Sequence, residues 1–172
     1  DQGRGIFLYD DRMRYSIMKY KYFGCQEYSR FYGKALYIYG KDMLALWKPQ
    51  IIIPVPLHRR KQRIRGFNQA EKIAMDLSKI VDIPTVDNIS RKYNTKRLYK
   101  LGKEERINEL KNAFMIKNNI IDLKNKNVLL VDDIFTTGST VNEISQILKI
   151  NGVNKVFVST FLTRTDTFYV KA

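Results

Sequence analysis

The sequence predicts an α/β protein: a parallel sheet with helices on both faces and a small N-terminal hood. Three observations carry this. Two runs, Ile51-Ile52-Ile53 and Val128-Leu129-Leu130-Val131, are apolar at every position. Unbroken runs of this kind mark strands buried on both faces, the condition of a parallel sheet. Each run is followed by apolar residues at helical spacing, and strands alternating with helices imply right-handed crossovers.

The elements follow in chain order. Ile6-Phe7-Leu8-Tyr9 reads as a short strand. Met13 to Tyr22 reads as a helix with Ile17 and Met18 inward and Arg12, Arg14, Lys19 and Lys21 outward. A turn at Gly24-Cys25 leads to a second helix from about Glu27 to Leu46, where Phe31, Leu36, Tyr39 and Met43 keep helical spacing. Tyr28, Tyr32, Tyr37 and Tyr39 share that period and read as core and rim rather than a base-stacking platform. Lys48-Pro49 breaks the helix, and Ile51 to Ile53 reads as a central strand. It runs into Pro54-Val55-Pro56-Leu57 and a basic loop, His58 to Arg65. Gly66 opens a third helix with Ala70, Ile73, Ala74, Leu77 and Ile80 on one face. Val86 to Ser90 reads as a strand, Arg91 to Lys103 as a loop and Glu104 to Leu110 as a helical turn. Phe114 to Ile116 is a short strand. The Val128 strand and its helix follow, and Val153 to Leu162 is the last strand. Residues 1–47 form the hood, either a separate cap or part of the same domain as the core at 48–172.

A chain of 172 residues suffices for one sizeable core, and 44% hydrophobic with 28% charged residues fits a globular protein. No apolar stretch is long enough to span a bilayer, and no secretory segment opens the chain. It starts at Asp1, as a fragment or a processed chain would. Cys25 is the single cysteine, which excludes an intrachain disulfide and a cysteine zinc site. A reduced thiol fits a cytoplasmic location. The formal charge of +14 favours polyanionic partners, among them phosphates and single-stranded DNA or other nucleic acid. No nucleic-acid-binding motif is visible.

The chemistry concentrates in Val128-Leu129-Leu130-Val131-Asp132-Asp133-Ile134-Phe135-Thr136-Thr137-Gly138-Ser139-Thr140. A buried strand delivers two adjacent acids, then a loop of hydroxyls and one glycine, then a helix bearing Val141, Ile144 and Leu148. The acids can accept hydrogen bonds from ribose hydroxyls. The loop amides of Thr136, Thr137, Gly138, Ser139 and Thr140 and the helix dipole can hold a phosphate. The segment lacks the lysine of a Walker A loop and the G-x-G-x-x-G of a dinucleotide turn. It resembles the signature of type I phosphoribosyltransferases, which bind phosphoribosyl pyrophosphate (PRPP).

A second segment narrows the resemblance. Pro54-Val55-Pro56-Leu57-His58 can aim backbone donors at an anion, and Arg65-Gly66-Phe67-Asn68-Gln69-Ala70 presents a guanidinium and two amides at a helix start. With the acid-pair segment, these resemble the ComF family, phosphoribosyltransferase-like proteins associated with DNA uptake in natural competence, and the related GntX-type proteins linked to gluconate use. Arg91, Thr95, Glu104, Glu105, Arg106, Ala113 and Phe114 extend the likeness. Arg97-Leu98 and Glu109 depart from it, standing where the family has Pro-Gln and Asn. Many members begin with a four-cysteine zinc finger, and this chain starts about where that finger would end.

The resemblance implies phosphoribosyl transfer through an oxocarbenium-like transition state, with Mg²⁺ held mainly by substrate and water. It implies that Asp132 and Asp133 hold the ribose hydroxyls or Mg-bound water, and that Thr136 to Thr140 bind the 5′-phosphate. The backbone at Val55 and Pro56, with Arg59, would hold pyrophosphate, and Arg65, Asn68 and Gln69 would border the same site. Arg91, Thr95 and Lys96 would close over it. His58 is a candidate for pyrophosphate contact or proton transfer, against the plainer reading of a solvated loop histidine. Three readings stay open: an enzyme with an unidentified acceptor, a PRPP- or nucleotide-sensing module that binds nucleic acid without turnover, and an interaction protein among competence-machinery components.

Overall fold

The computed structural model describes residues 2–92, 113–117, 121–164 and 167–169. Its main sheet has the order β2-β5-β6-β1-β7. The strands are β1 (Gln2–Leu8), β2 (Ile51–Pro54), β5 (Asn127–Phe135), β6 (Lys155–Thr163) and β7 (Thr167–Tyr169). The first four are parallel, and β7 runs antiparallel to β1. A small antiparallel pair, β3 (Ile89–Arg91) and β4 (Phe114–Ile116), lies apart from it. The helices are α1 (Asp11–Tyr22), α2 (Tyr28–Trp47), α3 (Arg59–Arg65), α4 (Gln69–Val81) and α5 (Ser139–Ile150).

Strand alternation divides the interior into two layers. Ile51, Ile53, Val128, Leu130, Val156 and Val158 pack against Val141, Ile144 and Leu148 of α5. Ile52, Leu129, Val131 and Phe157 turn the other way, onto α1, α2 and α4. That second layer is aromatic. Tyr32 lies against Phe161 with ring centroids 3.9 Å apart, and Trp47 stacks on Phe157 at 4.9 Å. The Tyr32 hydroxyl meets Ser16 Oγ at 2.7 Å, so the buried ring keeps its polar tip satisfied. The N-terminal residues share this layer: β1 pairs with β6, and α2 packs against α4 and β6.

Several expectations are corrected. β2 is an edge strand of the main sheet, not a central one. It reads as central because both faces are covered, and its outer edge is closed by backbone bonds to Pro84 and Val86. His58 to Arg65 is not a loop but carries α3, whose charged surface lacks the apolar period that marks a helix. Gly66 ends α3 rather than opening the next helix. It takes φ +82°, a left-handed cap that glycine adopts without steric cost. Asn68 caps α4 instead, its side chain accepting from the Ala70 amide at 3.2 Å. Met18, Phe31, Tyr39 and Ile80 are exposed, whereas Tyr20, Tyr32 and Ala35 supply the inner faces. The readings at Arg91 to Lys103 and Glu104 to Leu110 lie largely or wholly outside the described residues. A further strand, β7, follows β6; three residues without a strong pattern gave no signal for it.

Candidate functional site

The site begins where β2 stops. Pro54 pairs with Val131, but β5 continues to Phe135, so among the described residues its last part has no paired strand on that side. Asp132 and Asp133 therefore sit within the strand, not beyond its end, beside a space that the shorter strand leaves open. Alternation sends them to opposite faces. Asp133, only 8% exposed, points toward α1, where Lys21 Nζ lies 2.7 Å from its Oδ2. Asp132 keeps part of its surface open, and its Oδ1 accepts the Asp133 amide at 2.8 Å.

Two adjoining cavities occupy this space. The first, about 190 Å³, is lined by Asp132, Phe135, the Thr136–Thr140 loop and Arg164. The second, about 110 Å³, is walled by Val55, Pro56 and Leu57 on one side and by Asp132, Asp133 and Thr140 on the other. Asp132 and Thr140 line both, so the proline and threonine segments border adjoining cavities with the acid at their shared wall. Lys21, Arg65, Asn68, Gln69 and Arg91 also line the second cavity.

In the first cavity, Gly138 caps α5 at φ +74°, a left-handed conformation that bends the loop over the helix start. The amides that open α5 have no intrahelical acceptor, which makes them donors for an anion. Thr137 Oγ1 and Ser139 Oγ lie 3.0 Å apart on the same rim. In the second, Asn68 donates to the Val55 carbonyl at 3.2 Å and so ties the proline segment to the start of α4. Arg65 donates to Gln69 Oε1 at 2.8 Å and to the Tyr22 hydroxyl at 3.0 Å. Its guanidinium is thereby held at the cavity edge. The Val55 amide, however, donates to the Val131 carbonyl at 2.9 Å and completes the strand ladder. It is not free for an anion, and Pro56 has no N–H to offer.

His58 and Arg59 stand outside both cavities. His58 caps α3, its Nδ1 accepting from the Arg60 amide at 3.2 Å. Partial burial, then the cations Arg91, Lys61, Arg60 and Arg59, hold its imidazole below the usual range. Thr95 and Lys96 lie outside the described residues. Pattern reading missed Lys21, Leu57 and Arg164. It turned Lys21 outward, yet its side chain is 15% exposed and enters the cleft. A lysine among Arg12, Arg14 and Lys19 has no signal of its own; only the length of β2 and the face taken by Asp133 reveal its partner.

Of the two adjacent acids, Asp132 carries the higher cost of ionisation from its surroundings. Burial and then the Asp133 charge push Asp132 up to about 7, against the pull of the Asp133 amide, Lys21 and Arg91. In the unfolded chain an aspartate titrates near 3.9. Between these values the folded state binds the proton more tightly, so Asp132 favours folding most below about pH 4. That contribution is lost as pH rises toward 7. Asp132→Asn is therefore expected to melt with the wild type near pH 4 and above it at pH 8. Allowing for the side chain's remaining exposure, the gain is ~1–2 kcal/mol, several degrees in melting temperature. Melting curves across pH 4–8 check this; a gain equal at both ends contradicts it.

The fold is that of a phosphoribosyl transferase domain. A family profile described as "Phosphoribosyl transferase domain" matches residues 68–169, and the chain belongs to that family. Its relatives extend the ComF resemblance. Competence protein F of Haemophilus influenzae is 41% identical over 111 residues, covering 64% of this chain and 48% of the relative. DNA utilization protein YhgH of Escherichia coli O157:H7 is 34% identical, covering 70% and 52%. Competence protein ComFC of Bacillus subtilis is 28% identical, covering 82% and 55%. The chain thus spans about half the length of the curated relatives it matches. Among solved structures, glutamine PRPP amidotransferase from B. subtilis superposes with a TM-score of 0.53 at 18% identity, covering 84% of this chain and 30% of that one. Purine phosphoribosyltransferase from Pyrococcus horikoshii gives 0.50 at 21%, covering 77% and 81%. At such identities these two speak for the fold alone.

Proposed function

We propose that this chain is a ComF-type protein that binds PRPP with Mg²⁺ and transfers its phosphoribosyl group, in a setting of DNA uptake. The observation that carries this reading is the pair of adjoining cavities, bordered by the proline segment and by the threonine loop, that share Asp132 and Thr140. Its parts suit the parts of PRPP. The Thr136–Thr140 loop and the start of α5 take the 5′-phosphate. Asp132 and Asp133 accept the ribose hydroxyls. The second cavity, with Leu57, Arg65 and Arg91 on its walls, takes the diphosphate. Two carboxylates bordering a developing cationic sugar favour the transition state over the neutral ground state.

The donor set fits a metal held by its ligand rather than by the protein. Asp132 and Asp133 are the acids at hand, one of them already paired with Lys21. No group of three or more His, Cys, Asp or Glu gathers among the described residues. Mg²⁺ would reach Asp132 and Asp133 through substrate oxygens or water, and would supply neutralisation of the diphosphate.

Calorimetry with PRPP, with and without Mg²⁺, tests the reading. Heat of binding that requires Mg²⁺ is expected; silence at millimolar PRPP would remove the ligand assignment. Pyrophosphate release on screening bases and oligonucleotides tests transfer itself.

A second reading, nucleic-acid binding without turnover, draws on the +14 charge and on the exposed cations Arg59, Arg60 and Arg63 of α3 beside the cleft. Its mark is single-stranded DNA affinity that falls steeply with salt. A flat salt response would discard it. No helix among the described residues is long and apolar enough to cross a membrane.

A further inference from the structure

Lys21 enters the cleft from α1, outside the residues matched by the phosphoribosyl transferase profile. Its ammonium sits 2.7 Å from Asp133 Oδ2, with the two side chains 15% and 11% exposed. Its place is fixed from both sides. Tyr20 donates to the Gln69 carbonyl at 2.8 Å, and Tyr22 accepts from Arg65 at 3.0 Å. The last turn of α1 is thus tied to the start of α4 and the end of α3, and the lysine stem projects from a held backbone.

The ion pair raises a question of geometry: whether Lys21 must leave for a ligand to enter. Oxygen use around the acids answers it. Asp132 Oδ1 takes the Asp133 amide, and Asp133 Oδ2 takes Lys21. Each acid keeps a second oxygen outside these two contacts, Asp132 Oδ2 and Asp133 Oδ1, so Asp133 can still accept a hydroxyl with Lys21 in place. Lys21 therefore does not compete with a ribose. Removing it would leave two adjacent carboxylates in a partly dry cleft with less compensation. An ammonium has three donors, and Asp133 takes one. The cavity that Lys21 lines is also lined by Pro56, Leu57 and Arg91, on the diphosphate side of the cleft.

We propose that Lys21 is a substrate-binding residue, holding Asp133 with one N–H and donating others to the diphosphate of PRPP. This rests on the PRPP reading above. It gives the N-terminal segment a direct part in recognising the leaving group, at a point where the Val55 amide is already engaged in the sheet.

The test compares wild type, Lys21→Met and Lys21→Arg against three probes by calorimetry: Mg-PRPP, Mg-pyrophosphate and ribose 5-phosphate. Melting curves confirm that each variant is folded. Lys21→Met is expected to weaken Mg-PRPP and Mg-pyrophosphate by about 10- to 100-fold, the range of a lost charge-assisted hydrogen bond. Ribose 5-phosphate should change by no more than about threefold, because it lacks the diphosphate and the two acceptor oxygens persist. Lys21→Arg should recover part of the loss. An equal loss for all three probes would mean that Lys21 only props Asp133, and would overturn the proposal. So would unchanged affinity for the two diphosphate probes. A wild type that ignores PRPP would instead remove the ligand reading itself, and this proposal with it.

Discussion

A chain carrying both Asp132→Ala and Asp133→Ala is expected to lose Mg-PRPP binding by about 100- to 10,000-fold. In the proposed reading each acid accepts from a ribose hydroxyl, and a hydrogen bond to a charged group contributes ~1.5–3 kcal/mol. Two such bonds give ~3–6 kcal/mol, and every ~1.4 kcal/mol is tenfold in affinity. The loss should appear in a folded protein. Alanines remove the carboxyl that burial and then the Asp133 charge push up to about 7, together with the Lys21 pair on Asp133, so the two effects on stability oppose one another. Calorimetry beside a melting curve separates binding from folding. Retained PRPP affinity in a folded double variant would show that the ligand does not rest on these acids.

Gly138→Val is expected to strike the other end of the ligand. Gly138 holds φ +74°, where an L-residue costs ~1–2 kcal/mol and a β-branched one more. A Cβ there would stand 2.9 Å from Phe135 Cζ and 3.2 Å from Cε2. Phe135 is itself packed against the core and cannot swing away freely. Relief must then come from the loop, which shifts the amides at the start of α5 away from the phosphate. The expected result is a tenfold or greater loss of ribose 5-phosphate affinity, of the order of one displaced phosphate contact. A melting point a few degrees lower should accompany it. Unchanged affinity for ribose 5-phosphate would place the 5′-phosphate elsewhere.

Much of this site is legible in the chain because its signals are local. The unbroken Val128–Val131 run, Gly138 and the period of Val141, Ile144 and Leu148 each follow from a few neighbouring residues and lie where that reading places them, whereas the paired acids, read at the strand end, lie within the strand. Other features depend on distance. Lys21 meets Asp133 only because β2 ends opposite Val131 and strand alternation turns Asp133 toward α1; nothing near Lys21 encodes either condition. The Val55 amide looks available beside two prolines until the sheet register pairs it with Val131. The helix α3 hides for the opposite reason. Its stability comes from the His58 and Gly66 caps, not from an apolar face, so hydrophobic period is blind to it. Arg164 reaches the first cavity because β6 runs beside β5 to the Phe135–Thr163 pair, a juxtaposition set by topology.

A crystal structure of the wild type with PRPP and Mg²⁺ is the most direct test of a ligand clasped at both ends. The expected density puts the 5′-phosphate against Thr136 to Thr140, the ribose hydroxyls on Asp132 and Asp133, and the diphosphate in the cavity shared by Leu57 and Lys21. Density for PRPP with its diphosphate in the threonine loop, or bound away from both cavities, would contradict the account.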